Sequence, residues 1–270
     1  MAEPACEGGP QSRTKGVLVI NADDWGRDRP TTDRTLECIR CGSVSSVSAM
    51  AFMEDSERAA ATARQHGIDA GLHLNFTTRF SAVGAASHLG EHQERLARHL
   101  RRHRFAQAVF HPGLRGSFEY VVWAQLEEFS RLYGGPPARI DGHHHMHLCA
   151  NVILQNLMPF GTLVRRNFSF VAGEKGLANR LYRRVIDERL RTRHQLIDYF
   201  FALPPFEPPE RHERIFSLAH EATVEVEAHP IDQAEYRFLT GGEIFRRIGD
   251  CPIARTFSVA RRRQHLGSPS

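Results

Sequence analysis

Short apolar runs alternate with longer amphipathic segments along most of this chain. Residues 16–20 form a continuous apolar run rich in β-branched side chains, which is how a parallel strand buried on both faces reads. Residues 31–41 carry Leu36 and Ile39 at helical spacing, with Gly42 as a stop. The pattern then predicts a strand over 44–50, an alanine-rich helix over 55–66 closed by Gly67, and a third strand over 68–75. Small residues over 77–90 read as a loop. A charged helix follows across 90–107, with Leu96 and Leu100 as its inner face. A strong amphipathic helix covers 117–133 and ends at Gly134-Gly135-Pro136-Pro137, and a weakly apolar strand over 138–140 comes next. Downstream the same reasoning gives helices over 151–160, 178–193, 211–222 and 241–248, and strands over 161–166, 195–203, 223–228 and 256–260.

About seven or eight strands alternating with helices imply a parallel sheet, either a barrel or doubly wound. No internal repeat or composition break marks a second domain. The expected organisation is a polar arm over 1–15, one α/β domain over 16–260 and a polar tail over 261–270. Composition changes this little. The formal charge of +4 rests on 35 Lys+Arg against 31 Asp+Glu, with arginine supplying almost all the cations. Such a balance does not point to nucleic acid. Five scattered cysteines argue against a disulfide framework, and Cys38 and Cys41, three apart, read as a reduced pair on one helix face. The first 16 residues hold no apolar core of a secretory signal, and no run is long enough to span a membrane, so the expected location is cytoplasmic.

The chemistry is more telling. Four histidines, His143, His144, His145 and His147, fall within five residues at the end of the strand over 138–140. If the strand continues, His143, His145 and His147 share one face and suit a metal or a proton-transfer site. Asp23 and Asp24 end the first strand. They suit a metal, or equally a turn and helix cap. His73 ends the third strand, Arg165 and Arg166 the strand over 161–166, and His229 the strand over 223–228. In a parallel barrel all these ends lie on one face, the face that carries active sites. One carboxylate and two imidazoles can hold a divalent metal with positions left open, which points to metal-assisted hydrolysis, most simply of an amide. No Gly-x-Gly-x-x-Gly, Walker or Gly-x-Ser-x-Gly pattern indicates a nucleotide or a serine nucleophile.

Four motifs in order, NADDWG after the first strand, GLHLN after the third, DGHHHMH in mid-chain and EVEAHP near the end, resemble the YdjC-like carbohydrate deacetylase family, which includes chito-oligosaccharide deacetylases. The resemblance covers roughly residues 17–250. It implies a distorted, TIM-like (β/α) barrel, one divalent ion (magnesium or zinc) and removal of acetyl from an acetylated amino sugar, whether oligosaccharide or glycolipid. It further implies that Asp24, His73 and His143 hold the metal, that Asp23 is the catalytic base and that His229 stands near the leaving group. Arg165 or Arg166 would contact substrate or tune the base. Only His143 of its cluster is then needed as a ligand; His145 becomes a cleft residue and Asp141 a carboxylate that orients a histidine. Gly142 stands where Ser is frequent, and Glu227-Ala228 replaces a Met-Cys type pair. A phosphoester or other amide as the bond broken, and a non-catalytic anion binder using residues 91–104 and 178–193, stay open as alternatives. The oligomeric state stays open too, a homodimer included.

Overall fold

The computed structural model describes residues 16–84, 87–103, 105–170 and 176–257. The arm over 1–15 and the tail over 261–270 lie outside them. Seven strands form one sheet: β1 (Val17–Trp25), β2 (Ser46–Ala49), β3 (Asp69–Leu74), β4 (Arg139–Gly142), β5 (Leu163–Val164), β6 (Tyr199–Ala202) and β7 (Thr223–Ala228). Their order is β5-β4-β3-β2-β1-β7-β6, and every pair is parallel. The sheet curls into a distorted barrel. A single parallel bridge, Leu163 to Gln195, links β5 to the segment entering β6, with Val164 N–H donating to Gln195 O at 2.9 Å.

Helices α1 (Arg29–Arg40), α2 (Ser56–His66), α3 (Ser87–Leu100), α4 (Arg115–Tyr133), α5 (Ala150–Leu154), α6 (Leu177–Arg191), α7 (Glu210–Leu218), α8 (Gln233–Thr240) and α9 (Glu243–Ile248) are the α-helices among the described residues. Local chemistry accounts for several of their ends. Asp28 caps α1 through Thr31 N–H, and Gly67 and Gly134 close α2 and α4 in the left-handed conformation. Four expectations change. The helix over 151–160 shrinks to α5, because Asn156 turns left-handed before Pro159. The charged helix begins earlier, at Ser87, and ends at Leu100. Helix α8, passed over in the sequence, is set by Asp232, whose carboxylate accepts from Ala234 and Glu235 N–H. The strand over 256–260 is not found at 256–257, and its remaining residues lie outside the described ones; Ile253 bridges Leu18 instead. Among the described residues no helix is long and apolar enough to cross a membrane.

Strand alternation sorts the side chains. Leu18, Ile20 and Ala22 of β1 join the layer packed under the helices, while Val17 and Val19 form a small interior cluster with Leu163, Ile197, Ala254 and Phe257. Above that apolar floor the interior turns polar: Asn21, Asp23, Ser46, Ser48, Arg139, Asp141, Glu225 and Glu227 are all buried. Buried charge is tolerable only when paired and hydrogen-bonded, so this layer has to be a closed network. One position shows how tightly it is filled. A Cβ on Gly71 would meet Arg139 Cζ at 2.7 Å. Gly71→Ala is therefore expected to cost about 1–3 kcal/mol, the usual penalty of overpacking, read as a lowered midpoint in denaturant unfolding. An unchanged midpoint would mean that Arg139 swings aside freely.

Candidate active site

Asp23 and Asp24 stand together at the end of β1 and point different ways. Asp24 has φ 64°. Asp tolerates this left-handed conformation better than most residues, yet it persists only where its surroundings fix it. The twist aims Asp24 Oδ1 at two imidazoles, 2.9 Å from His143 Nδ1 and 3.4 Å from His73 Nε2. One donor atom from each of Asp24, His73 and His143 lies within 4.8 Å of the other two, and all three residues are buried. Behind them, His73 Nδ1 meets Asp141 Oδ1 at 2.7 Å and His143 Nε2 meets Thr78 Oγ1 at 3.0 Å. Both rings thus have their far nitrogen occupied and their near nitrogen turned to Asp24, as histidines that ligate metals do.

Asp23 faces the barrel interior. Arg165 donates to both of its oxygens at 2.7 Å, and Asn21 Nδ2 adds a third bond at 2.8 Å. The guanidinium also donates from Nε to Glu225 at 2.8 Å and from Nη1 to Glu227 at 3.3 Å, lies 3.2 Å from Asp141, and stacks over Phe200 at 4.8 Å. Arg139 joins Asp141 to Ser48, with both contacts at 3.0 Å. Against Arg139, Arg165 and the partly exposed Arg27, which donates to Asp24 Oδ2 at 3.1 Å, stand Asp23, Asp24, Asp141 and Glu227, all buried, with Glu225 raised to about 7 by burial. The imbalance appears in the titrations. Burial would raise Asp23, but the Arg165 and His73 charges hold it below the ordinary range. Burial would lower His73, but Asp23 and the bonds to Asp141 and Asp24 push it up to about 10. The pocket demands positive charge, and the field that favours a proton on His73 also favours a divalent ion among its neighbours.

That demand, and the Asp24 oxygen that is buried with no hydrogen bond of its own, make the residues a good fit for one ion. A second group, Asp23, His73 and Asp141, is equally compact. Its carboxylate oxygens, however, are already taken up by Arg165, Arg139, Ser48 and His73. One site, not two, is what the donors favour.

The histidine cluster does not continue β4. His144 and His145 have φ 54° and 57° inside a short 3₁₀ segment over His143–Leu148, so the expected shared face of His143, His145 and His147 is corrected. The turn sends His143 and His147 inward and leaves His144 and His145 on a cleft. His147 Nε2 contacts Arg165 O at 2.9 Å, which fixes the backbone behind the arginine. A Cβ on Gly142 would meet His147 N at 2.9 Å, so the turn requires glycine there. Arg165 is fully buried behind Asp23 and does not reach the cleft; of the two roles the resemblance offered, its position fits tuning of the base and not contact with substrate. Arg166 points the other way, bonding Asp187 at 2.9 Å while lining the cleft. His145 Nε2 lies 3.6 Å from Glu227. His229 has its backbone N–H bonded to Glu235 at 2.7 Å and its ring 37% exposed; burial would lower it, but Asp23, Glu227 and Glu235 raise it above 6.5.

Sequence reading passed over Arg139, Ser48 and Glu225. The signal was present in the strand alternation of Arg-Ile-Asp-Gly and Thr-Val-Glu-Val-Glu-Ala, where charged residues share one face.

The model of the family described as YdjC-like protein matches residues 17–248. A chitooligosaccharide deacetylase of Serratia marcescens is 32% identical over 133 residues, 49% of this chain and 51% of that protein. Carbohydrate deacetylases of Mus musculus and Homo sapiens are 31% and 34% identical, over 60% and 52% of this chain and 52% and 44% of their own lengths. The match thus spans about half the length of these curated relatives. A solved structure from Enterococcus faecalis V583, of a protein named for cellobiose-phosphate cleavage, superposes with TM-score 0.62 at 17% identity, over 91% of this chain and 99% of that one, which bears on the fold alone.

Proposed function

Because the chain belongs to the YdjC-like protein family, we propose that it is a metal-dependent hydrolase that removes the N-acetyl group from an acetylated amino sugar. The observation that carries this reading is the convergence of Asp24, His73 and His143 beside an Asp23 held bidentately by Arg165. Asp24, His73 and His143 would hold the ion, and two imidazoles among three donors favour zinc over magnesium. When bound, a divalent ion makes water acidic and polarises a carbonyl oxygen. Asp23 takes the proton of the attacking water; Arg165 keeps that carboxylate ionised and aimed. His229, whose proton affinity the carboxylates around it raise, gives a proton to the departing nitrogen. His145 and Arg166 line the cleft that receives the sugar. The products are acetate and a free amine.

The test is acetate release from a panel of N-acetylated saccharides by protein loaded with zinc or magnesium, beside the metal content of each preparation. One ion per chain and acetate from at least one saccharide are expected. Asp24→Ala combined with His73→Ala should abolish both. Normal metal binding by that double variant would move the site elsewhere. Two ions per chain would favour phosphoester hydrolysis instead.

A further inference from the structure

Helix α6, which the sequence marks as basic, takes no part in the chemistry above. Its Leu177, Leu181 and Val185 are 81%, 64% and 58% exposed. Recurring every fourth residue, they share one face, and at 100° per residue Tyr182 falls beside them. The opposite side is the one that packs: Leu190 is buried, and buried Asp187 is taken up by Arg166 and Asn167. Arg180, Arg184 and Arg191 run along one border of the apolar stripe and Arg189 lies on the other. Glu188, the one acid on the exposed surface of this helix, falls within the line of the stripe at its C-terminal end, past Val185, where Arg191 pairs with it at 2.8 Å. A stripe of leucine and valine bordered by arginines is the pattern of a helix that lies in a membrane interface.

The stripe is continuous with the site. Tyr182 and Arg183 line the cleft of about 590 Å³ that opens beside His144 and His145, and Phe105, 59% exposed, lines it too. A second copy of the chain is a poor cover, because two such stripes packed face to face would set arginines against arginines. Nucleic acid would neutralise the arginines and leave the leucines in water. An anionic lipid surface satisfies both halves of the pattern at once. We propose that α6 lays Leu177, Leu181 and Val185 into an anionic phospholipid surface, so that the cleft receives the acetylated sugar headgroup of a lipid; the headgroup part rests on the deacetylase reading.

The full chain is incubated with vesicles of phosphatidylcholine, with and without phosphatidylglycerol, and sedimented. Binding to the anionic vesicles is expected to exceed binding to neutral ones by at least about tenfold and to weaken as salt is raised. Leu181→Ser combined with Val185→Ser should reduce it about tenfold or more, while leaving acetate release from a soluble saccharide unchanged. Absence of binding to anionic vesicles, or undiminished binding of the double variant, overturns the docking. So does a wild-type dimer in sedimentation equilibrium that the double variant turns into a monomer. Vesicle binding without acetate release from any soluble or lipid-borne acetylated sugar retains the docking but overturns the deacetylase reading and the headgroup with it.

Discussion

Replacing Asp23 with Asn is expected to lower kcat for acetate release by roughly 10²–10⁴-fold, the range that a positioned general base supplies. The substitution removes the negative charge and changes little in volume. It also turns an amide N–H₂ toward Arg165, which now donates to both carboxylate oxygens at 2.7 Å. Some stability is therefore lost with the charge, and thermal midpoints have to be measured alongside the rate. Bound metal separates the two roles that adjacent aspartates can play. In the proposed reading Asp24, whose Oδ1 faces both imidazoles, would be a donor to the ion, whereas both oxygens of Asp23 are occupied by the guanidinium. Asp23→Asn should keep its ion while Asp24→Asn loses most of it. If Asp23→Asn came through within tenfold of wild-type kcat, the base would be another group; if it lost the ion, the donor set would be wrong.

The barrel was legible because each strand announces itself by a short apolar or alternating run, and because parallel strands need helices between them. The places where reading stopped short are places where the backbone departs from its local pattern. The apolar lead into the histidine cluster suggested a strand that continues, and alternation then put three imidazoles on one face. Left-handed His144 and His145 break that alternation, and nothing local announces them except Gly142, whose missing side chain makes room for His147. Helix α8 depends on the Asp232 cap and carries only Phe238, Leu239 and Glu235 inward, too few positions for a clear period. The polar interior escaped for a different reason. Glu225 and Glu227 alternate with valine and read as a strand with one wet face. Their burial depends on Arg165, which is 60 residues distant from Glu225 and 142 from Asp23 in sequence. A pairing of that range is not written in any window of the chain.

Arg165→Met is expected to be the most destabilising single change. Methionine matches much of the arginine's volume, so the loss is one of charge. Asp23, Asp141, Glu225 and Glu227 would be left buried around an uncharged side chain. Removing one partner of a buried ion pair costs about 3–5 kcal/mol, and for a domain of this size each kcal/mol lowers Tm by about 2–4 °C. Arg165→Lys should fall between the two, since lysine restores the charge but not the planar fork that grips both oxygens of Asp23. The pH dependence gives the direction a second check. In the wild type Asp23 and Asp141 are held below their unfolded values, so their contribution is full above the ordinary carboxylate range and is lost as pH falls through their folded values. In the variant, burial acts on the same carboxylates without Arg165 to oppose it, and their folded values rise. Protonation of Glu225 then stabilises the variant as pH falls, starting above 7, because Glu225 titrates near 7 even with Arg165 beside it. The stability gap between the two proteins should therefore be widest in mild alkali and narrow on acidification. A gap that widens below neutral pH, or an Arg165→Met Tm indistinguishable from wild type, would show that the interior carboxylates are neutralised by something other than this arginine.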